Sequence, residues 1–427
     1  MPTNLKPKAI LFIGFRHKTE SILEAKELGF KTILLTEELK PEAKGIFDDA
    51  YEGNLFDIAV IQKLIKTLKA NYRIRGIISN YEHYVVTRSY LAEHFRLPAS
   101  SIYSACCSRN KAMQRHALNF MNENIPFRIV KTLKQAEKAL KTLGGDTFLK
   151  AISGIKSRLV FHVQNEKALE TAFKELTNTS RSIDLDLEND YTYCNFNFNY
   201  LNPKTTFLME KAIQGNQVTV ASLVGGHKLW NAPSICDVYT AADLGRPDSF
   251  LAFRILPSKV SPEIQNKVKR AAETAARILG LQYCPIHAEL IITPENEVKL
   301  IEIASRMGGY RPQMYKEAYD LNLNRLMIDA ALGKEIKKSG RLKSHVSLLE
   351  IFPEKEGEFI SLENYESLKN DPSVTYSQLD AKPGDKVGFA KHGHKTIARL
   401  LIKANSYEKV YEKSIHYQTL LKVKIKR

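Results

Sequence analysis

The chain lacks several features, and each absence narrows its function. Its five cysteines (Cys106, Cys107, Cys194, Cys236 and Cys284) form no CxxC pair and no spaced framework, so a reducing, cytoplasmic setting is expected. No run of about 18 apolar residues occurs, so neither a transmembrane helix nor a membrane partner is expected. The N-terminus leads directly into the apolar segment Ala9 to Phe15, followed by Arg16, His17 and Lys18 rather than by small residues; this reads as a first β-strand and not as a signal peptide. There is no internal repeat and no low-complexity tract. Acidic residues are outnumbered, 47 Asp and Glu against 63 Lys and Arg, for a net charge of +16. Such an excess suits nucleic acid, an anionic membrane or a polyanionic small molecule. No helix-turn-helix, zinc or aromatic-basic RNA signature accompanies it, so solvated surface is the simplest account and nucleic acid is not expected.

What is present describes a globular, multidomain chain. With 44% hydrophobic and 26% charged residues, nothing has to stay disordered, and 427 residues exceed what one small core organises. Residues 8 to 95 alternate strand and helix, the pattern of a parallel α/β sheet, with strands at Ala9 to Gly14, Thr32 to Thr36 and Gly76 to Ser79. Gly14 and Asn80 end strands, at the edge where such sheets bind ligands. A helix is expected from Ser108, as N-cap, to Asn124, then strands at Phe127 to Val130 and Thr147 to Ile152 around a helix at Leu133 to Leu143. The polar and aromatic stretch Asn178 to Asn202 reads as irregular. Strands resume at Thr205 to Glu210 and Val218 to Val224, and Ser261, Pro262 and Gly280 bound a helix. Residues from about 342 onward read as a small β-rich cap. The fold class is thus α/β and α+β, multidomain.

The sharpest chemistry lies in His287-Ala288-Glu289-Leu290-Ile291-Ile292, a turn, and a second strand containing Glu302. A four-residue loop, Pro294 to Glu297, would place Glu289 opposite Glu302. Carboxylates so placed have Cβ atoms about 4.5 to 5.5 Å apart and repel unless compensated. The apolar neighbours keep water from doing so, whereas Mg²⁺, or Mn²⁺ in its place, is held by one or two carboxylates together with substrate phosphates. Arg306 follows, suited to phosphate charge, and Gly308 and Gly309 permit close backbone approach.

The spacing Glu302-Ile303-Ala304-Ser305-Arg306 resembles the second metal motif, Glu-x-Asn-x-Arg, of the ATP-grasp superfamily, with Ala304 in the asparagine position. The resemblance is nearest to its carboxylate-amine ligase branch, the L-amino acid ligases or dipeptide synthetases. Asn110-Lys111 stands where that family has Asp-Lys, Lys150 ends a strand where it has a second ATP lysine, and Ser153 to Val160 matches its phosphate-covering loop through Gly154, Ser157 and Arg158. Met209-Glu210-Lys211-Ala212-Ile213 resembles the hinge around adenine, with Gln217 beyond it where a ribose-binding glutamate is frequent. The resemblance implies ATP bound by Lys111, Lys150, Gly154, Ser157, Arg158, Glu210, Lys211, Ile213 and Gln217, Mg²⁺ on Glu289 and Glu302, Arg306 as the catalytic residue, and Tyr310, Arg311 and His287 beside the substrate. It implies a pre-ATP domain at 1-107, ATP-grasp halves at 108-204 and 205-340, and a C-terminal domain at 341-427. The implied activity is ADP-forming ligation of a small-molecule carboxylate, an amino acid or similar, to an amine through an acyl phosphate; a homodimer is also considered among its partners. A nucleotide-binding regulator without turnover and a basic nucleic-acid-binding protein are the alternatives.

Overall fold

The computed structural model describes residues 6–15, 19–153, 159–182, 193, 201–226, 228–246, 248, 250–392 and 394–426. The first unit is a four-stranded parallel sheet of β1 (Lys8–Ile13), β2 (Lys31–Thr36), β3 (Asp49–Glu52) and β4 (Arg73–Ile78), in the order β3-β2-β1-β4. β1 and β2 are buried along nearly their whole length, as strands covered on both faces must be. The order reverses at β1, so a crevice opens beyond the carboxyl ends of β1 and β4, the expected edge carrying Gly14 and Asn80.

The second unit is an antiparallel sheet of β5 (Phe127–Val130), β6 (Thr147–Ala151), β7 (Val160–Val163) and β8 (Phe207–Lys211), in the order β5-β8-β6-β7. The apolar sides of helices Leu133–Thr142 and Glu166–Ser182 share a core with it. The stretch read as irregular from Asn178 begins as the last turn of the second helix. The rest lies outside the described residues apart from Tyr193 and Leu201, Asn202; Tyr193 is buried and its hydroxyl donates to the Leu55 carbonyl of the first unit.

From residue 216 onward come β9 (Asn216–Gly225), β10 (Lys228–Asn231), β11 (Cys236–Thr240), β12 (Leu251–Leu256), β13 (Pro285–Ile292), β14 (Val298–Ala304), β15 (His345–Ile351), β16 (Gly357–Glu363), β17 (Val374–Leu379), β18 (Lys386–Val387), β19 (Ala398–Ala404) and β20 (Lys422–Lys426). Nine of them form one sheet, running β14-β13-β9-β11-β12-β15-β19-β17 with β10 paired to β9. The C-terminal strands β15, β19 and β17 therefore continue the sheet that begins with the glutamate hairpin. β16, β18 and β20 make a small separate sheet. The helix Pro262–Ile278 has the expected ends, with the Ser261 hydroxyl accepting from Ile264 N and Gly280 at φ +66.

The helix expected from Ser108 is two helices, Ile102–Arg109 and Lys111–Ala117, and its N-cap is Asn110 rather than Ser108. Asn110 is extended (φ −105, ψ 110) and its Oδ1 accepts from Ala112 N at 2.9 Å and Met113 N at 3.1 Å, so the chain turns sharply there. Ser108 instead bonds the Ala105 carbonyl inside the preceding helix. No helix among the described residues is long and apolar enough to cross a membrane.

Candidate active site

Glu289 on β13 pairs directly with Glu302 on β14. The expected loop is wrong by one residue, since the strands end at Ile292 and resume at Val298, leaving the five residues Thr293 to Glu297. A bulge at Ile301, where Leu290 faces Leu300 but Glu289 faces Glu302, absorbs the extra residue and restores the pairing. β9 lies on the other side of β13, with Thr219 opposite Glu289, and Cys236 of β11 is opposite Thr219. Paired residues share a face, so Glu302, Glu289, Thr219 and Cys236 form one row across four strands.

The two carboxyls differ in their surroundings. Burial works against ionisation of Glu289, but a hydrogen bond from His287 and the charges of Arg306 and Arg254 outweigh it and bring the group to about 2. Burial raises Glu302, helped by the nearby Glu82 and Glu289 and opposed by Lys111. Like charges forced together separate in this way, and a divalent cation between them would let both ionise. Among the described residues no group of three or more His, Cys, Asp or Glu side chains could hold a metal by itself. The donor set therefore fits Mg²⁺ shared with phosphate oxygens rather than a metal caged by protein. Ala304, beside Ile303 on β14, is 2% exposed and offers no donor. Burial pushes His287 down to about 4, so the neutral ring places its proton on Nε2, 3.3 Å from Glu289 Oε1. Gln217 Nε2 donates to the other oxygen of Glu289 at 3.2 Å, so it sits beside the glutamate pair.

One short helix, Lys111–Ala117, ties the two antiparallel sheets together. Lys111 pairs with Glu302 at 3.0 Å, Gln114 exchanges bonds of 2.8 and 2.9 Å with the Ile303 backbone, and the Arg115 NH2 donates to the Ile301 carbonyl at 2.6 Å. Lys111, Gln114 and Arg115 lie at i, i+3 and i+4, on one side of the helix. Arg115 also donates to Glu210 Oε1 at 2.5 Å, and Lys150 takes Glu210 Oε2 at 2.5 Å. Burial alone would raise Glu210, yet Arg115 and Lys150 bring it down to about 2. Lys150 and Glu210, expected to meet ATP at separate points, are thus direct partners, and Arg115 had gone unnoticed in the sequence. Its signal was an arginine one turn beyond Lys111, on the side of the helix that faces the sheet.

Beyond β8, the Ala212 N–H donates to the Asp146 carbonyl at 2.9 Å, Lys211 is exposed and Ile213 is half-buried. Gly215 must be glycine, because a Cβ there would lie 2.2 Å from the Ile292 carbonyl oxygen and its φ is +148. Gly154, Ser157 and Arg158 lie outside the described residues.

The first unit contributes Glu82, a second residue missed in the sequence, from the turn Glu82–Tyr84 that follows β4. Its Oε2 accepts from Arg306 Nε at 2.9 Å and from the Arg306 NH2 at 2.7 Å, and Arg109 lies 3.7 Å from Oε1. Burial would raise Glu82, but Arg306, Arg109 and Lys111 hold it below the usual carboxylate range. The Arg88 NH1 donates to the Ser305 carbonyl at 3.2 Å, and the Ser108 and Ser305 hydroxyls meet at 2.8 Å.

Arg311 is 2% exposed. It donates to Thr219 Oγ1 at 2.8 Å and touches Met314 Sδ at 3.3 Å, while its Nε finds no acceptor; no carboxylate pairs with it among the described residues. Tyr310 (φ 60) donates to Gln378 Oε1 at 3.0 Å, and Arg399 stands 5.4 Å from its ring centre. Val238, two residues beyond Cys236, pairs with Arg254, which reaches Glu350 at 2.9 Å; Arg399 reaches the other Glu350 oxygen at 2.9 Å. The polar row thus runs from Glu289 and Glu302 to the C-terminal strands.

These features define a class. Residues 146–313 match the family model of the ATP-grasp domain. Its whole course resembles solved relatives: an L-amino acid ligase from Bacillus licheniformis (18% identity, all of both chains, TM-score 0.82) and the biotin carboxylase domain of the Hydrogenobacter thermophilus 2-oxoglutarate carboxylase, solved with MgADP, ADP and bicarbonate (16% identity, 99% of this chain and 91% of that one, TM-score 0.67). In sequence it is similar to the alanine-anticapsin ligase of Bacillus subtilis, 21% identical over 280 residues, which are 65% of this chain and 58% of that protein.

Proposed function

We propose that this chain is an ADP-forming ligase that joins a small carboxylic acid, an amino acid or a similar acid, to an amine. The observation that carries the reading is the in-register pair of Glu289 and Glu302, with Lys111 3.0 Å from Glu302. The ATP-grasp domain, the fold shared with an L-amino acid ligase and the alanine-anticapsin ligase relative support it.

In this reading the triphosphate lies between Lys150 and the glutamate pair, and adenine lies at the 210–213 segment. Mg²⁺ on Glu289 and Glu302 would neutralise phosphate oxygens as charge moves between them. Lys111 then exchanges Glu302 for a phosphate oxygen. An oxygen of the substrate carboxylate attacks the γ-phosphorus and the bond to ADP breaks, giving an acyl phosphate. The amine attacks its carbonyl carbon, loses a proton, and phosphate leaves with the C–O bond that breaks. Arg306 stabilises the charge on the tetrahedral species between. Arg311, a buried cation without a protein carboxylate among the described residues, is the receptor for a substrate carboxylate, with His287 and Tyr310 as the other residues proposed for the acid.

The test is phosphate release by purified protein given ATP, Mg²⁺ and a panel of amino acids, other acids and amines. Release that depends on an acid and an amine is expected; its absence across a broad panel would leave an ATP-binding regulator as the better account. Arg311→Met separates substrate binding from folding. A buried charge without a partner costs stability, so this variant is expected to melt no lower than wild type, while the KM for the acid rises about 10²-fold and that for ATP stays put. A parallel rise in both KM values would remove Arg311 from the substrate side.

A further inference from the structure

Glu82 lies in the turn that follows β4 of the first parallel sheet, far in sequence from the glutamate hairpin, yet both of its strong contacts go to one guanidinium. We infer that Glu82 is a positioning residue for catalysis: it fixes the orientation of Arg306 so that the outer edge of the guanidinium, and not its Nε edge, faces the transferring group. The contacts dictate that orientation. Nε and one NH2 hydrogen are taken by Glu82 Oε2, and NH1 gives one hydrogen to the Met307 carbonyl at 3.3 Å. What remains is one N–H on each terminal nitrogen, two donors for the oxygens of a phosphate or carboxylate. Burial works against the charge of Arg306, and Glu82 and then Glu302 and Glu289 outweigh it, so Arg306 lies within the field of the glutamate pair. Without Glu82, Arg306 would be free to turn onto those carboxylates and compete with the metal.

Glu82 is itself built in. It is 5% exposed and follows Tyr81, and the rings of Tyr81 and Tyr84 meet edge to face at 6.3 Å. Both rings lie against Gly14 at the end of β1, where a Cβ would stand 2.8 Å from Tyr84 and 2.9 Å from Tyr81. Tyr84 is held in turn by Glu37 at the end of β2, at 2.8 Å. The crevice edge of the parallel sheet, with its glycine at φ +72, therefore serves to present one carboxylate to another unit's arginine. A salt bridge that only joined domains would not need its acceptor seated so firmly or its arginine left with two donors to spare.

The kinetic arm of the test rests on the ligase reading, and the labelling arm does not. Glu82→Ala is expected to lower kcat about 10²-fold, the cost of misplacing a group that acts on the reacting atoms. The KM for ATP should stay within about twofold, which a general loosening of the domains would not allow. In an Arg306→Ala background the same change should cost less than about threefold, because its effect passes through Arg306. Equal losses in both backgrounds, or an unchanged kcat, would overturn the inference. Glu82→Gln, which keeps the size and an acceptor oxygen, is expected to recover part of the rate and carries the cycle if Glu82→Ala fails to fold. For the second arm, arginine-selective dicarbonyl labelling is followed at the Arg306 peptide by mass spectrometry, with no substrate present. Faster labelling in Glu82→Gln than in wild type, with other arginines unchanged, is expected; equal rates would overturn the inference even in a protein with full turnover. If wild type releases no phosphate while the labelling difference is found, the ligase reading fails and the positioning contact stands.

Discussion

Glu302→Ala is expected to lower acid- and amine-dependent phosphate release by about 10³-fold or more, the scale on which active sites lose an electrostatic contact to developing charge. The variant should fold, because Glu302 is the strained member of its pair: burial and two neighbouring acids raise its pKa, and removing it relieves Glu289 as well as Glu82. Lys111 loses its 3.0 Å partner and becomes available to phosphate oxygens. Calorimetric titration should therefore find that Glu302→Ala binds ATP without Mg²⁺ at least as tightly as wild type does, and that added Mg²⁺ no longer improves the affinity. Full activity in this variant would overturn the ligase reading, and an Mg²⁺ effect as large as in wild type would remove Glu302 from the metal.

Arg115→Met carries the largest expected cost in stability. Arg115 is 1% exposed and joins Glu210, the Ile301 carbonyl and Asn124, so one truncation leaves a buried carboxylate with Lys150 alone and two acceptors unmatched. Breaking such a buried pair from one side costs about 3 to 5 kcal/mol. Urea unfolding should show the loss, with the sheet of β5 to β8 separating from β14 first. The acid limb gives an independent reading. The Glu210 carboxyl titrates at about 2 in the folded chain against an ordinary value of 4.5, so its contribution is complete above 4.5 and fades as the pH falls from there toward 2. In Arg115→Met the folded value moves back toward 4.5, and wild type and variant should converge in stability over that interval. A constant difference across it would assign the cost of Arg115 to packing instead.

The residues legible in the sequence were those whose placement follows from local rules. Strand alternation and a hairpin were enough to bring Glu289 to Glu302, and the one-residue error in the loop was cancelled by a bulge at Ile301 that no periodicity announces. Lys111 and Lys150 were singled out by the family resemblance, since a lysine near the end of an apolar strand reads alone as a surface residue. The less legible residues act across long separations. Glu82 reaches Arg306 over 224 positions, and nothing in Asn80-Tyr81-Glu82 marks it beyond lying at a strand's carboxyl edge. Asn110 was read as half of a binding motif, although its side chain is occupied in capping the helix that carries Lys111. Arg254, Glu350 and Arg399 sit in strands whose partners can be assigned only once the sheet order is known. Buried polar groups are specified by where their partners fall in space, and a linear pattern records only that they are polar.

The unbroken course of the large sheet sets how this chain can be cut or recombined. β15, β19 and β17 reach the glutamate hairpin through β12, β11 and β9 by continuous pairing, so the C-terminal region is not an attachment that can be exchanged for another. A chain truncated after helix Leu323–Ala331 would leave β12 with its ladder groups bare along the length now paired from Phe253 to Leu256, a ready template for a second chain. It would also strip Tyr310 of Gln378 and Arg399, the groups that hold it beside Arg311. In an engineering setting, chimaeras should be joined before β9 or not at all.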